Sequence, residues 1–150
     1  MTEVLSGHPR SRLARAVVDT SVTAAWCFDD EASEYSEAVL EEVVRVGAYV
    51  PALWPFEMAN VLAVAERRGR MRPEQVGRFL QALTALPLHV EQRAPSSSLP
   101  SLVGTARASG LSAYDAAYLE LAARTGLQLA TRDMALQAAA ERSGVVIFEG

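Results

Sequence analysis

Ala16-Val17-Val18-Asp19-Thr20-Ser21-Val22 is an apolar run that ends abruptly in a carboxylate and two hydroxyls. A short apolar run with β-branched Val17 and Val18 is typical of a buried strand. Such a strand would place Asp19 at its carboxyl end, where open α/β sheets form their ligand clefts. A buried carboxylate is costly without positive charge nearby. We therefore expect Asp19 to face a cation, which other acids of the chain could share.

The composition favours one compact domain. The chain has 150 residues, of which 50% are hydrophobic and 21% charged, and this balance favours neither a disordered nor a fibrous class. The net charge of −4 means that any affinity for nucleic acid must come from a local patch. All 14 basic residues are arginine, which binds phosphate well, although a GC-rich coding bias explains the same usage more simply.

Cysteine and histidine are too rare for several kinds of site. Cys27 is the only cysteine, so an intrachain disulfide is excluded, and with only His8 and His89 a closed zinc site is excluded too. No apolar run reaches the length of a membrane span, and Asp19 interrupts the segment that would resemble a signal peptide. We therefore expect a cytoplasmic protein.

Hydrophobic patterns and turn residues divide the chain into alternating strands and helices. After the strand before Asp19, strands are predicted at 49–50, 88–90, 127–130 and 145–148. Helices are predicted at 32–46, 55–68, 73–86, 99–109, 112–125 and 133–142, with a loop at 94–100 that contains three serines. Residues 1–15 are predicted to be a loose N-terminal arm and residues 16–150 one domain, in which helices cover both faces of a parallel sheet of about five strands.

Two further aspartates lie where such a sheet would collect them. Asp115 follows Ser112 in a helix-capping pattern, but it also shares a helical face with Leu119 and Ala122, which should point at the sheet. Asp133 follows the strand at 127–130, where it could simply cap the next helix. Each position has this ordinary explanation when taken alone.

Glu57 is the fourth candidate acid. It lies in the first turn of a predicted helix, and Asn60 follows on the same face. Three aspartates and one glutamate at one sheet edge would repel one another and raise each other's pKa values, unless a divalent cation removed the conflict. Magnesium or manganese prefers oxygen ligands and phosphate, so the pattern indicates metal-dependent hydrolysis of a phosphodiester.

Four segments in this order resemble the motifs of PIN-domain ribonucleases, and most closely those of the VapC toxins of bacterial toxin–antitoxin pairs. The segments are Val17-Val18-Asp19-Thr20-Ser21, Glu57-Met58-Ala59-Asn60-Val61-Leu62, Leu111-Ser112-Ala113-Tyr114-Asp115-Ala116-Ala117-Tyr118-Leu119-Glu120-Leu121-Ala122 and Leu129-Ala130-Thr131-Arg132-Asp133. The resemblance covers nearly the whole chain, and only the arm before Arg15 falls outside it.

This resemblance implies a PIN-like three-layer α/β/α fold and a ribonuclease activity. The implied catalytic and magnesium-binding (or manganese-binding) acids are Asp19, Glu57, Asp115 and Asp133. Supporting roles around them are implied for Ser21, Asn60 and Thr131. It also implies an RNA substrate, a homodimer, and neutralisation by a small VapB-like antitoxin whose tail lies over the site.

Other functions remain open. A catalytically idle PIN-like binding protein is the main rival, although binding alone does not require four acids. An aspartate-based phosphatase would need a second aspartate where Ser21 stands and a lysine, and the chain has no lysine. The four arginines between positions 67 and 72 could hold an RNA backbone or form a solvated helix end, and Trp26, Trp54 and Phe56 could line an antitoxin groove or belong to the core.

Overall fold

The computed structural model describes residues 14–150, apart from the side chain of Pro95. The strands of this part are β1 (Ala16–Val18), β2 (Ala48–Val50), β3 (Leu88–Val90) and β4 (Gln128–Ala130). The helices are α1 (Thr20–Ala25), α2 (Glu34–Val46), α3 (Trp54–Arg67), α4 (Pro73–Ala85), α5 (Pro95–Ser109), α6 (Ala113–Thr125) and α7 (Met134–Arg142). A short 3-10 turn (Asp29–Glu31) precedes α2.

The strands form one parallel sheet in the order β3-β2-β1-β4. The chain adds strands on one side of β1 first and on its other side later, so β1 is the point at which the winding direction changes. Open α/β sheets bind their ligands at this point. The amide of Asp19 donates to the carbonyl oxygen of Ala130 at 3.0 Å, which aligns the ends of β1 and β4. Asp19 therefore lies at the position where this fold forms its cleft.

Alternation along the strands produces two cores, one on each face of the sheet. Val17 and Leu129 pack with residues of α3, α6 and α7 on one face, whereas Val18 and Ala130 pack with residues of α1 and α2 on the other. Successive strand residues point to opposite faces, and both sets are apolar because helices cover both. The predicted three-layer α/β/α architecture is confirmed.

The fifth predicted strand, at 145–148, is reduced to a single bridge between Leu129 and Ile147. The amide of Leu129 donates to Val146 O, and the amide of Phe148 donates to Leu129 O, both at 2.9 Å. Val145 and Phe148 are already buried in different cores on either side of this bridge, and Val146 faces solvent. The apolar side chains of this segment are therefore buried without a longer run of strand pairing.

The prediction of a loop at 94–100 was wrong, because α5 begins at Pro95. Proline suits the first helical position, since its fixed φ is already helical and its missing N–H would have no partner there. The serines do not interrupt the helix, since Ser98 is buried and Ser101 donates to the carbonyl of Ser98 and to Glu120 on α6. Contact with α6 outweighs the local turn propensity of serine.

The predicted N-terminal arm lies outside the described residues except for Ala14, which is buried, and Arg15, which pairs with Glu42 at 2.6 Å. None of the helices within 14–150 combines the length and the apolar character that a bilayer crossing requires.

Candidate active site

Asp19 is the most buried acid of the site. It is 5% exposed and stands between β1 and the first turn of α1. Its Oδ1 accepts a hydrogen bond from Ser21 Oγ at 2.5 Å, and its Oδ2 accepts one from Thr131 Oγ1 at 2.7 Å. Burial raises the pKa of Asp19 from 3.8 to about 6, against the two hydroxyl donors, and the charge of Asp133 adds to the rise.

Asp133 follows β4 on the neighbouring strand end. Its amide donates to Thr131 Oγ1 at 3.0 Å, and its Oδ1 caps α7 by accepting from the amide of Leu136 at 2.9 Å. Asp133 therefore does cap the next helix, as one of its two interpretations predicted, and its carboxylate remains at the sheet edge. The negative charge of Asp133 contributes to the raised pKa of both Asp19 and Asp115.

Asp115 reaches the same edge from the first turn of α6. The cap of this helix is Ser112, whose hydroxyl oxygen accepts from the Asp115 amide at 3.2 Å. The carboxylate of Asp115 is half-buried, and its pKa is raised by burial first and by the charge of Asp133 second. Asp133 thus lies close enough to both Asp19 and Asp115 for its charge to act on each of them.

Glu57 joins this group from the first turn of α3 through hydroxyl groups. Its Oε1 accepts from Thr20 Oγ1 at 2.9 Å and from the Tyr118 hydroxyl at 2.5 Å, and those two hydroxyls are 2.7 Å apart. The pKa of Tyr118 is raised by burial, by its hydrogen bond to Glu57, and also by the charge of Asp19. Glu57 is therefore hydrogen-bonded to the residue that follows Asp19 and to a residue one turn after Asp115.

The predicted supporting residues divide into two kinds. Ser21 and Thr131 both hold Asp19, and the hydroxyl of Ser21 also accepts from the amide of Arg132 at 2.9 Å. Asn60 is exposed on α3, and no hydrogen bond within residues 14–150 joins its side chain to the four acids.

Thr20 and Tyr118 are site residues that the sequence analysis missed. Tyr118 lies one turn after Asp115 on a largely apolar helix, which is ordinarily the pattern of a core residue. A buried tyrosine hydroxyl nevertheless requires a partner, and its position beside a candidate acid was the available signal.

The four acids receive no compensating charge from the described part of the chain. No ion pair between 14 and 150 includes Asp19, Glu57, Asp115 or Asp133, although three other carboxylates of low exposure (Glu42, Glu91 and Glu120) are all paired with arginine. The side chain of Arg132, beside Asp133, is exposed. Within residues 14–150, the edge therefore carries carboxylates that have no ion-pair partner.

The fit of a divalent cation follows from the donors. The site presents carboxylate and hydroxyl oxygens, which are the ligands of magnesium and manganese. No group of three or more His, Cys, Asp or Glu side chains in the part of the chain that the structure describes stands close enough together to enclose a metal. Asp19 is held by its two hydroxyl bonds and Asp133 by its helix cap, and joint binding of one cation by at least three acids among residues 14–150 would require these side chains to move closer together. The chemistry of the donors fits such an ion.

Several of the arginine and aromatic residues suggested as RNA or antitoxin contacts make structural contacts instead. Arg70 pairs with Asp30 at 2.9 Å and with Glu31 at 3.0 Å, and its guanidinium lies 3.7 Å from the centre of the Phe28 ring. Trp54 is buried in the core, and Trp26 donates to the carbonyl of Ser36 at 2.9 Å. In contrast, Phe56 is 79% exposed.

The comparisons with known proteins agree with this architecture. The PIN domain family model matches residues 16–142. The chain is 30% identical to Ribonuclease VapC3 of Pyrobaculum aerophilum over 122 residues, which are 81% of this chain and 92% of the relative. A crystal structure of PAE2754 from Pyrobaculum aerophilum superposes with a TM-score of 0.66 at 25% identity, over 85% of each chain. The fold also matches FitAcB from Neisseria gonorrhoeae, with a TM-score of 0.62 at 17% identity over 89% of this chain and 96% of that one.

The fold and the acidic edge define a small α/β protein with a site suited to a hard cation. The family match and the identity to Ribonuclease VapC3 go further, because each extends over most of the chain. The chain belongs to the PIN domain family.

Proposed function

We propose that this protein is a metal-dependent endoribonuclease that uses magnesium or manganese to hydrolyse phosphodiester bonds of RNA. The observation that carries the proposal is the group of four acids at the winding switch of the sheet, which have no arginine partner among residues 14–150. The relative Ribonuclease VapC3 supports RNA as the substrate class.

Each residue of the site would have its own role in this reaction. Asp19, Asp115 and Asp133 would hold the cation, and Glu57 would assist them. The cation would supply activation of water and neutralisation of phosphate charge. Ser21 and Thr131 occupy both oxygens of Asp19 and thereby fix the orientation of its carboxylate. Asn60 keeps a predicted supporting role, which from its exposed position would involve bound RNA.

Cleavage assays on purified protein test this proposal. We expect RNA cleavage in magnesium or manganese, loss of cleavage in EDTA, and loss in Asp19→Ala. Asp29→Ala is the matched control, since Asp29 is an exposed aspartate of the 3-10 turn and should be dispensable. Metal-dependent cleavage retained by Asp19→Ala would refute the assignment of the site.

The idle binding protein and the phosphatase make different predictions. An idle PIN-like protein would show no cleavage and no stabilisation by metal, since it has no use for a cation. An aspartate-based phosphatase would hydrolyse phosphomonoesters; Ser21, which stands where that class needs its second acid, instead donates to Asp19 at 2.5 Å. A generic phosphomonoester substrate in the same assay distinguishes this activity.

We further propose a toxin role in the cytoplasm, with neutralisation by a small VapB-like antitoxin. This rests on the VapC resemblance and on the unbalanced negative charge of the site, which a basic segment of a partner would match. Expression of the chain alone should arrest growth, Asp19→Ala should not, and the gene immediately upstream should restore growth when it is co-expressed. Growth that is equal with the wild type and Asp19→Ala would contradict the toxin role.

A homodimer is also part of the proposal. Phe56 and Tyr114 are 79% and 68% exposed, and they line one cleft of about 280 Å³ between α3, α5 and α6. Exposed apolar side chains of this size are typical of interaction surfaces. Light scattering of the wild type should give a dimer, and Phe56→Glu should give a monomer. A monomeric wild type would contradict this part.

A further inference from the structure

The triangle of Glu57, Thr20 and Tyr118 connects three separate elements of the site. Thr20 directly follows Asp19 at the start of α1, Tyr118 lies one turn after Asp115 on α6, and Glu57 is on α3. The contacts between their oxygens are 2.5, 2.7 and 2.9 Å. A displacement of any one element therefore changes the position of Glu57 relative to the aspartates.

The number of hydrogens that these three groups can donate limits how Glu57 is held. Each hydroxyl has one hydrogen to donate, and an ionised carboxylate only accepts. Two of the three contacts can therefore be hydrogen bonds at any time, and the short contact from Tyr118 has the length of a hydroxyl bonded to a carboxylate. Oε1 of Glu57 is thus occupied, whereas its Oε2 accepts no hydrogen bond from the described residues.

The ring of Tyr118 makes this arrangement rigid. Tyr118 is 1% exposed and lies in the core on the face of the sheet covered by α3 and α6. A buried ring in a close-packed core has little freedom, so its hydroxyl is fixed relative to Asp115 on the same helix.

We propose that Tyr118 and Thr20 are positioning residues that hold one oxygen of Glu57 and leave the other for the cation shared with the aspartates. This inference rests on the proposed metal-dependent function. Outer partners of ligating carboxylates commonly change metal affinity by about 10- to 100-fold when they are removed. Tyr118 would act through Glu57 alone and would not touch the substrate.

The test measures binding of Mn²⁺ alone, from the electron paramagnetic resonance signal of the free ion, together with RNA cleavage. Tyr118→Phe removes only the hydroxyl and should weaken Mn²⁺ binding by about 10- to 100-fold. Thr125→Val is the matched control, because it removes a hydroxyl that bonds to Leu121 O at 2.6 Å at the far end of the same helix. This control should bind Mn²⁺ as the wild type does.

A double-mutant cycle separates positioning from a general structural effect. In a Glu57→Ala background, Tyr118→Phe should cause no further loss of Mn²⁺ affinity. Should Tyr118→Phe fail to fold, Thr20→Val takes its place in the same cycle, with Thr20→Ser expected to restore binding because it keeps the hydroxyl.

The outcomes distinguish this inference from the function on which it rests. A wild type that binds no Mn²⁺ and cuts no RNA overturns both. A wild type that binds and cuts, together with a Tyr118→Phe variant of equal affinity, overturns the positioning role alone. An equal loss with and without the Glu57 side chain overturns it as well.

Discussion

Two regions of this molecule bury carboxylates in opposite ways. Between α6 and the end of β3, Glu120 and Glu91 both pair with Arg124, whose Nε donates to Glu120 Oε1 at 2.8 Å. At the carboxyl edge of the sheet, Asp19 is equally buried, yet its side-chain partners are two hydroxyls and no arginine, and burial raises its pKa to about 6. The first region contains its own cation, whereas the acids of the second have no ion-pair partner among residues 14–150 and, on the proposed function, would take a divalent cation from solution.

On the proposed function, this comparison separates an edge that binds a cation from a cluster that only stabilises the fold. A paired buried carboxylate has its desolvation cost offset by its partner, and no ligand improves on that arrangement. An unpaired group of acids keeps an electrostatic conflict that a divalent ion relieves, so the free energy of the conflict is available for binding. Substitutions that convert one region into the other, or that remove the feature separating them, test this difference.

The largest effect should follow from placing a cation of the protein's own at the acidic edge. Asp115→Lys puts an ammonium between acids that otherwise lack one, and it removes a proposed metal ligand. RNA cleavage should fall on the order of 10³-fold, as when charged transition-state stabilisation is removed elsewhere, while the fold is kept. Asp29→Lys makes the same change of charge at an exposed site and should leave cleavage unchanged.

The opposite change removes the cation from the paired region. Arg124→Met leaves Glu91 and Glu120 buried without a cationic partner, which should lower the free energy of unfolding by about 3–5 kcal/mol. Urea unfolding measures this loss, and Arg107→Met, at an exposed position near the end of α5, provides the control. A loss no greater than that of the control would show that this cluster does not depend on its arginine.

The pH dependence of stability should also differ between the regions. The folded pKa of Asp19, about 6, lies above its ordinary value of 3.8, so the folded state binds the proton more tightly. The contribution of Asp19 is therefore most favourable at acidic pH, declines as the pH rises from about 4 to about 6, and stays unfavourable above that.

Asp19→Asn removes this titration. In EDTA the variant should be more stable than the wild type by about 1–3 kcal/mol at pH 7, and this difference should vanish near pH 4. Paired urea titrations at several pH values measure it, with Asp29→Asn as the control. A difference that is independent of pH would show that the Asp19 carboxylate is not destabilised by burial.

The sequence predicted the parts of this fold that depend on local patterns. The strand before Asp19, the apolar face of α2 with buried Val39 and Val43, and the caps at Ser112 and Asp133 all follow from spacing and residue type. The position of Asp19 at the sheet edge followed from the same argument, because a carboxylate ended a buried run.

The features that sequence analysis missed depend on tertiary contacts. No element was assigned to α1, because Thr20, Val22 and Thr23 are β-branched and favour strands; burial of Val22 and Ala25 stabilises the helix instead. The start of α5 among serines depends on α6, and the bridge at Ile147 on two cores that only the fold defines. Likewise, the bond from Tyr118 to Glu57 joins residues that are 61 positions apart, and no local pattern indicates it.

The central claim is that the unpaired acids of the sheet edge bind a divalent cation, and thermal unfolding with and without Mn²⁺ tests it most directly. At a free Mn²⁺ concentration of ten times the dissociation constant, the wild type should gain about 1.4 kcal/mol. For a chain of this length, that gain raises the melting temperature by about 3–6 °C. Asp19→Asn should show no such rise, whereas Asp29→Asn should show all of it. A wild type whose melting temperature does not respond to Mn²⁺, or an Asp19→Asn variant that responds equally, would contradict the account.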